Sequence, residues 1–345
     1  MEPDHAASSI RHRDAAASGL TPRQLRSRTW THPAAGVALA RRHAHDLTSA
    51  CVAIQRVLPA HAVWTHLTAA QLRGWWLPSL PCTLPLIVSS DVDAPHHDRR
   101  GVYVRRCDVP EGHRTVLDGA RVASAAWTIA ELAEDLCLVD LVVVIDCALH
   151  RGDCTVPDLW SVAVPGRRGV RTLRQAIRLA DARSESAWET ILRLLHVLCD
   201  ITDVEPQYVV RDARGTFVAR ADLRIGRSRR LHEYDGGVHR DRDQHQRDLD
   251  REKRLARAGW ERRGYTAVEV LRHPEQVVID AEQVLGIMHD PAGLASWRAE
   301  VSRSSLTSDG AARLARRLRR FDRRTSRRAA QTVRRPAQTR RSTGQ

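Results

Sequence analysis

The sequence predicts an α/β protein of two domains: a mainly helical α+β region, then an α/β core of helix, mixed sheet and helices. Three observations carry that prediction. At 345 residues the chain exceeds the roughly 100–200 residues that one core commonly serves. Its hydrophobic content of 42% is that of a globular protein with a sizeable interior. Between 183 and 290 the apolar pattern passes from helical spacing to extended segments and back.

Taken in order, residues 1–20 are polar and rich in Ala and Ser, a composition that predicts disorder. From Leu20 to about Pro78 the pattern is helical. It gives a helix over Asp46–Leu58 capped by Thr48 or Asp46, and another from Thr68 through Trp76 that Pro78 closes. Thr21-Pro22-Arg23-Gln24-Leu25 and a strand start at Gly36-Val37 precede them. Leu84–Ser89 and Gly101–Arg106 are rich in β-branched residues and predict short strands. Helices follow over Ala125–Glu134, Val139–His150, Thr155–Val162 with Thr155 as cap, and Leu173–Ala180.

The second domain starts near Ser184. Trp188, Ile191, Leu192, Leu195 and Leu198 form an apolar helical stripe, with Glu189, Arg193 and His196 on the opposite side. Extended segments at Gln207–Arg211, Thr216–Ile225 and Arg230–Tyr234 are punctuated by Gly215 and Gly226. A helix over Asp248–Ala258 stops at Gly259, a last strand is expected at Thr266–Leu271, and a last helix at Pro274–Leu285. Beyond Ala292 the composition shifts to Arg, Ser and Thr. Leu314, Leu318 and Phe321 make a thin apolar stripe on an arginine-covered helix, and disorder is expected after Arg324.

The formal charge of +14 is uneven: fourteen arginines against Asp309 and Asp322 place +12 of it in 301–345. The body is nearly neutral, and the tail, with Arg316, Arg317, Arg319 and Arg320, is the candidate phosphate-binding element. A solvated extension is its bland alternative. Lys253 is the single lysine among 55 basic residues, so individual arginines carry little information. Seven scattered cysteines without a CxxC pair predict reduced thiols rather than zinc or disulfides. The N-terminus has no apolar signal segment. The longest apolar run, Leu136–Leu149, is broken by Asp140 and Asp146 and too short to span a bilayer. A cytoplasmic location without a membrane partner is expected.

The residues that suggest chemistry are Ala221-Asp222-Leu223, then Glu233-Tyr234-Asp235-Gly236. Side chains alternate along a strand, so Glu233 and Asp235 should share a face. Asp222 on the neighbouring strand and Glu189 from the preceding helix could meet them. Carboxylates gathered in this way repel one another unless a cation lies between them. Mg²⁺ or Mn²⁺, with hard oxygen ligands and retained waters, could activate water for phosphodiester hydrolysis. Taken singly, each residue also fits a solvated face.

As a set, Ser186-Ala187-Trp188-Glu189-Thr190, Ala221-Asp222-Leu223, Glu233-Tyr234-Asp235-Gly236 with His239, and Asp248-x-x-Arg251-x-x-x-Leu255-x-x-x-Gly259-Trp260 resemble the very-short-patch-repair-like branch of the PD-(D/E)xK nuclease superfamily. The resemblance implies a restriction-endonuclease-like domain over 183–290. It also implies Asp222 and Glu233 as metal ligands, Glu189 as a helix-borne acid near the metal, and contacts to DNA from Arg251 and His239. Asp235 stands where the wider superfamily usually has lysine, and Gly264 where many relatives have an arginine. Upstream, Thr65-His66-Leu67-Thr68-Ala69-Ala70-x-Leu72-x-Gly74, Asp118-Gly119-x-Arg121-Val122 and Trp127-Thr128-x-x-Glu131-Leu132-Ala133 are similar to actinobacterial proteins with an AbiEi-type antitoxin-like region. That implies a domain over 21–180 with a shortened winged-helix start. The expected function is a metal-dependent DNA endonuclease; the alternatives are a noncatalytic DNA-binding regulator of the type IV antitoxin kind and a protein-interaction module.

Overall fold

The computed structural model describes residues 8–81, 84–94, 99–236 and 242–322, with backbone alone over 242–248. It is an α/β protein of two compact units. The first takes in the chain up to Arg73, Leu80–Ser124 and the segment from Arg313; the second comprises Gly74–Ser79 and Ala125–Ala312.

In the first unit, β1 (Ser9–Arg11), α1 (Pro22–Leu25), β2 (Trp30–Ala34) and β3 (Val37–Ala40) come first. The three strands form an antiparallel sheet in the order β1-β3-β2. Residues 8–20, expected to be disordered, are therefore ordered. The physical reason is a small core in which Ile10 and Ala15 pack with Leu25 and Ala38. Thr21 and Gln24 close a capping box on α1. The helical expectation for 20–78 holds only in part, since β2, β3 and a further strand at Val63–Trp64 lie within it.

Asp46 caps α2 (Leu47–Gln55) by accepting from the N–H groups of Thr48 and Ser49. The helix buries Cys51, Val52, Ala53 and Ile54 against Val37, Leu39, Trp64, Val88 and Val122. Next come β4 (Val63–Trp64), α3 (His66–Leu72), β5 (Leu86–Ser90), β6 (Val102–Arg106), β7 (Arg114–Leu117) and β8 (Ala120–Ala123). These five strands form a mixed sheet ordered β6-β5-β4-β8-β7.

The second unit opens with α4 (Ala125–Leu132), α5 (Leu138–His150), α6 (Val156–Val162) and α7 (Val170–Leu179). Thr155 caps α6 through a capping box with Asp158. These helices, assigned from sequence to the N-terminal domain, belong instead to the same compact unit as the sheet that follows. Two aspartates that interrupt the apolar run of α5 explain this. Asp146 accepts from Thr190 Oγ1 (2.9 Å), Arg193 Nη2 (2.7 Å) and Asp181 N (2.8 Å). Asp140 accepts from Ser304 Oγ (2.6 Å) and Ser305 N (3.0 Å). Both carboxylates are buried and partnered, so α5 is tied to later elements by polar bonds as well as by packing.

The chain continues through α8 (Ala187–Leu198), β9 (Val204–Arg211), β10 (Phe217–Ile225), β11 (Arg230–Tyr234), α9 (Arg242–Arg257) and β12 (Glu261–Tyr265). The sheet order is β12-β11-β10-β9; β9, β10 and β11 are an antiparallel meander, and β12 joins β11 in parallel through α9. Gly259, at φ +76°, turns the chain between α9 and β12. Then follow α10 (Ala267–Arg272), α11 (Pro274–Leu285), α12 (Ala295–Val301) and α13 (Ser308–Leu318).

The expected strand at Thr266–Leu271 is a helix. Thr266 and Glu269 form a capping box that starts α10, and the strand lies just upstream in the charged segment Glu261–Tyr265. The stripe on α13 is packed rather than thin: Leu314, Leu318 and Phe321 are buried. Phe321 meets the rings of His66 and Tyr103 edge-on within the first unit. The expected disorder after Arg324 lies outside the described residues. No helix among the described residues is long and apolar enough to cross a membrane.

Candidate functional site

The acidic residues named from sequence do come together. Ser186 caps α8 by accepting from Glu189 N (3.2 Å), which fixes Glu189 in the first turn. Its Oε2 accepts from Gln207 Nε2 of β9 (2.7 Å) and from Glu185 N (2.8 Å). Asp222 Oδ2, on β10, accepts from Tyr234 N of β11 (2.8 Å). Burial pushes the Asp222 carboxyl up to about 7. The Tyr234 N–H opposes this, the negative charges of Glu189 and Glu233 add to it, and Arg251 works against it. Glu189, Asp222 and Glu233 thus lie within electrostatic reach of one another.

Arginine, not a cation site, completes the cluster. Glu233 is 4% exposed. Arg251 of α9 grips its carboxylate with two nitrogens, Nη1 at 3.0 Å from Oε2 and Nη2 at 2.5 Å from Oε1. Arg262 of β12 adds a third donor, Nε at 2.5 Å from Oε2, and extends Nη2 to Asp235 Oδ1 at 2.5 Å. Burial works against the charge on Arg262, yet its bonds to Glu233 and Asp235 push its pKa above the ordinary guanidinium value. The fork geometry of guanidinium suits such bidentate pairing.

Gly264 makes this arrangement possible. In the β11–β12 register it stands beside Glu233, and a Cβ there would fall 2.0 Å from Asp235 Oδ2. Any larger residue would push Asp235 off Arg262.

In this arrangement the carboxylate expected to bind a divalent metal is held by arginine. Each oxygen of Glu233 accepts from at least one guanidinium donor. Among the described residues no group of three or more His, Cys, Asp or Glu side chains is placed to hold a metal ion. Asp222 and Glu233, expected as shared metal ligands, are neighbours in this structure, and Glu233 is held by arginine.

Of the other residues named from sequence, Asp235 joins the cluster through Arg262, and Arg251 joins it directly. His239 lies outside the described residues. Arg316, Arg317, Arg319 and Arg320 belong to the other compact unit. The first three are exposed, and the Arg320 guanidinium sits 4.7 Å from the Phe321 ring.

Sequence inspection missed Arg262, Gln207 and the stack of Trp188 on Tyr234, whose rings are 4.7 Å apart and 3° from parallel. The signal for Arg262 was Glu-Arg-Arg-Gly-Tyr, a charged segment ending in an aromatic residue. Arg193 and His196, assigned to a polar helix face, are both buried. Arg193 pairs with Asp146. His196 Nε2 meets His232 Nδ1 at 2.9 Å, the first link of a buried chain that runs through Tyr265 to Asp280. Burial lowers His196 to about 4 and His232 well below its usual range, so both rings are neutral near pH 7.

The second unit is thus an α/β core with an acidic cluster, partly compensated by Arg251 and Arg262, where β10, β11 and β12 meet α8 and α9. No family model matches the chain, and no solved structure matches it. Two uncharacterized proteins of Mycobacterium tuberculosis are similar, one from strain CDC 1551 / Oshkosh and one from strain ATCC 25618 / H37Rv. Each is 26% identical over 225 residues, covering 62% of this chain and 78% of the relative.

Proposed function

We propose that the chain is a DNA-binding protein whose second unit keeps an endonuclease-like core without hydrolytic activity, in the manner of a type IV antitoxin or related regulator. The observation that carries this reading is the clamp on Glu233: each of its carboxylate oxygens accepts from Arg251 or Arg262. A carboxylate in that state must give up a guanidinium bond before both its oxygens can turn to Mg²⁺ or Mn²⁺. The order of elements supports the kinship with nucleases: a helix, a three-strand meander, a helix and a parallel fourth strand. The net charge of +14 and the exposed Arg313, Arg316, Arg317 and Arg319 on and beyond α13 supply the electrostatics for phosphate contact.

Metal-dependent cleavage is the second reading, and one observation favours it. Asp222, raised to about 7, feels Glu189 and Glu233 as like charges, so the cluster is not wholly compensated. Supercoiled plasmid incubated with the protein in Mg²⁺, Mn²⁺ or EDTA separates the two. Salt-sensitive binding without nicking in all three is the expected result. Metal-dependent nicking that disappears in Asp222→Ala and Glu233→Ala would establish the endonuclease instead.

A further inference from the structure

The hairpin formed by β9 and β10 ends in a patch that its own unit does not cover. Phe217 is 59% exposed and Val209 41%, although each sits in a strand whose alternate residues, Val210 and Val218, are buried. In the antiparallel register Phe217 faces Arg211, and Val209 faces Arg220. Arg211 and Arg220 are exposed, as is Arg214 in the connecting turn. An aromatic ring and a valine are thus interleaved with two guanidinium groups on one face, and Arg214 stands exposed in the adjoining turn.

That surface adjoins the acidic cluster. The Arg220 carbonyl accepts from Arg251 Nη2 (2.7 Å), the same nitrogen that holds Glu233. Its guanidinium pairs with Glu185 at 2.5 Å, and Glu185 N donates to Glu189. The Arg220–Glu185 pair is exposed on both sides, so water screens it and a phosphate can replace the carboxylate at little cost. Arg211 spends one donor on the carbonyl of Gly215 (2.9 Å) and has four others.

From this juxtaposition we infer that the β9–β10 hairpin grips unpaired nucleic acid, with Phe217 stacking on a base while Arg211, Arg214 and Arg220 bind the flanking phosphates. This deepens, and rests on, the DNA-binding reading above. Charge selects the occupant. A second copy of the chain adding a strand to the edge strand β9 would set these arginines against their own equivalents, whereas a polyanion neutralises them. The exposed ring selects the unpaired form, because a base inside a duplex has no free face to offer.

The test is fluorescence anisotropy with the full chain in EDTA, on a labelled single-stranded oligonucleotide and on its duplex. Phe217→Ala is expected to weaken single-strand binding by about 5- to 150-fold, the effect of losing one stacked base, and to leave duplex binding unchanged. Phe217→Tyr, which keeps the ring, should restore it. Arg211→Gln and Arg220→Gln should each lower the log–log salt slope on single strands by about 0.7. Equal single-strand affinity for Phe217→Ala and wild type overturns the inference. So does a Phe217→Ala chain that changes only its sedimentation, since the patch is then a contact between copies. A wild-type chain that binds neither oligonucleotide removes the DNA-binding reading too. One that binds both and ignores Phe217 removes this inference alone.

Discussion

Replacing Glu233 by Gln tests the arginine clamp through the sign of a stability change. The carboxylate is 4% exposed and takes three guanidinium donors. Loss of one partner from a fully buried pair costs about 3–5 kcal/mol, because the remaining charge is left unpaired. Here Arg251 and Arg262 are 30% and 22% exposed and can recover some hydration, so roughly 2–3 kcal/mol is expected. A set of carboxylates awaiting a cation behaves oppositely. Without metal they repel, and neutralising one stabilises the protein. Urea unfolding in EDTA, compared at equal m value, distinguishes the cases. The clamp predicts a lower midpoint for Glu233→Gln, and coupling of about 0.5–3 kcal/mol in a double-mutant cycle with Arg262→Gln. A higher midpoint in EDTA, together with stabilisation of the wild type by millimolar Mg²⁺ that Glu233→Gln abolishes, would refute the clamp.

Asp222 makes stability depend on pH in a known direction. Its folded pKa of about 7 stands above the ordinary 3.8, so the folded chain holds a proton that the unfolded chain releases. The residue therefore costs nothing below the lower value. Its cost grows as pH rises through that window and is complete above about 7. Asp222→Asn, whose amide oxygen can still accept from Tyr234 N, should gain stability over wild type progressively between those pH values and level off above them. A gain that does not change with pH in paired thermal melts would contradict the assignment. In the other unit, Phe321→Ala should cost about 3–5 kcal/mol and expose the segment after Leu314 to limited proteolysis. An unchanged digestion pattern would mean that this segment is a solvated tail after all.

Much of the fold was legible because local signals and packing agreed. Thr155 and Asp158 marked the start of α6, Pro274 opened α11, and Gly259 ended α9, each through backbone chemistry confined to a few residues. Errors arose where long-range packing or side-chain identity decided. Ser9–Arg11 is a strand because it pairs with β3, which composition cannot report. Glu261–Tyr265 forms an edge strand whose charged residues lie where water or ion partners reach them: Glu261 pairs with Arg230 and Arg263. It carries no apolar alternation, whereas at Thr266–Leu271 Val268 and Val270 mimic a strand inside a capped helix. The buried Asp140 and Asp146 were read as breaks in an apolar run, yet they anchor α5 to α8 and to the segment after α12.

The acidic half of the cluster was visible as spaced carboxylates; its basic half was not, because with one lysine among 55 basic residues no single arginine stands out. If the proposed kinship with nucleases holds, Arg262 of β12 brings the cation in place of a lysine at position 235, and Gly264 leaves room for Asp235 to meet it. That exchange changes what the site can do. A lysine ammonium on a flexible stem can turn toward a water or a phosphate, and its pKa falls readily when buried. The Arg262 guanidinium is tied to Glu233 at Nε and to Asp235 at Nη2, its pKa raised further by those bonds. It cannot give up a proton, and its Nε and Nη2 can meet a phosphate only by releasing both carboxylates. On the proposed reading, the second unit therefore ties Glu233 and Asp235 to arginine and leaves contact with nucleic acid to the exposed surface of the β9–β10 hairpin.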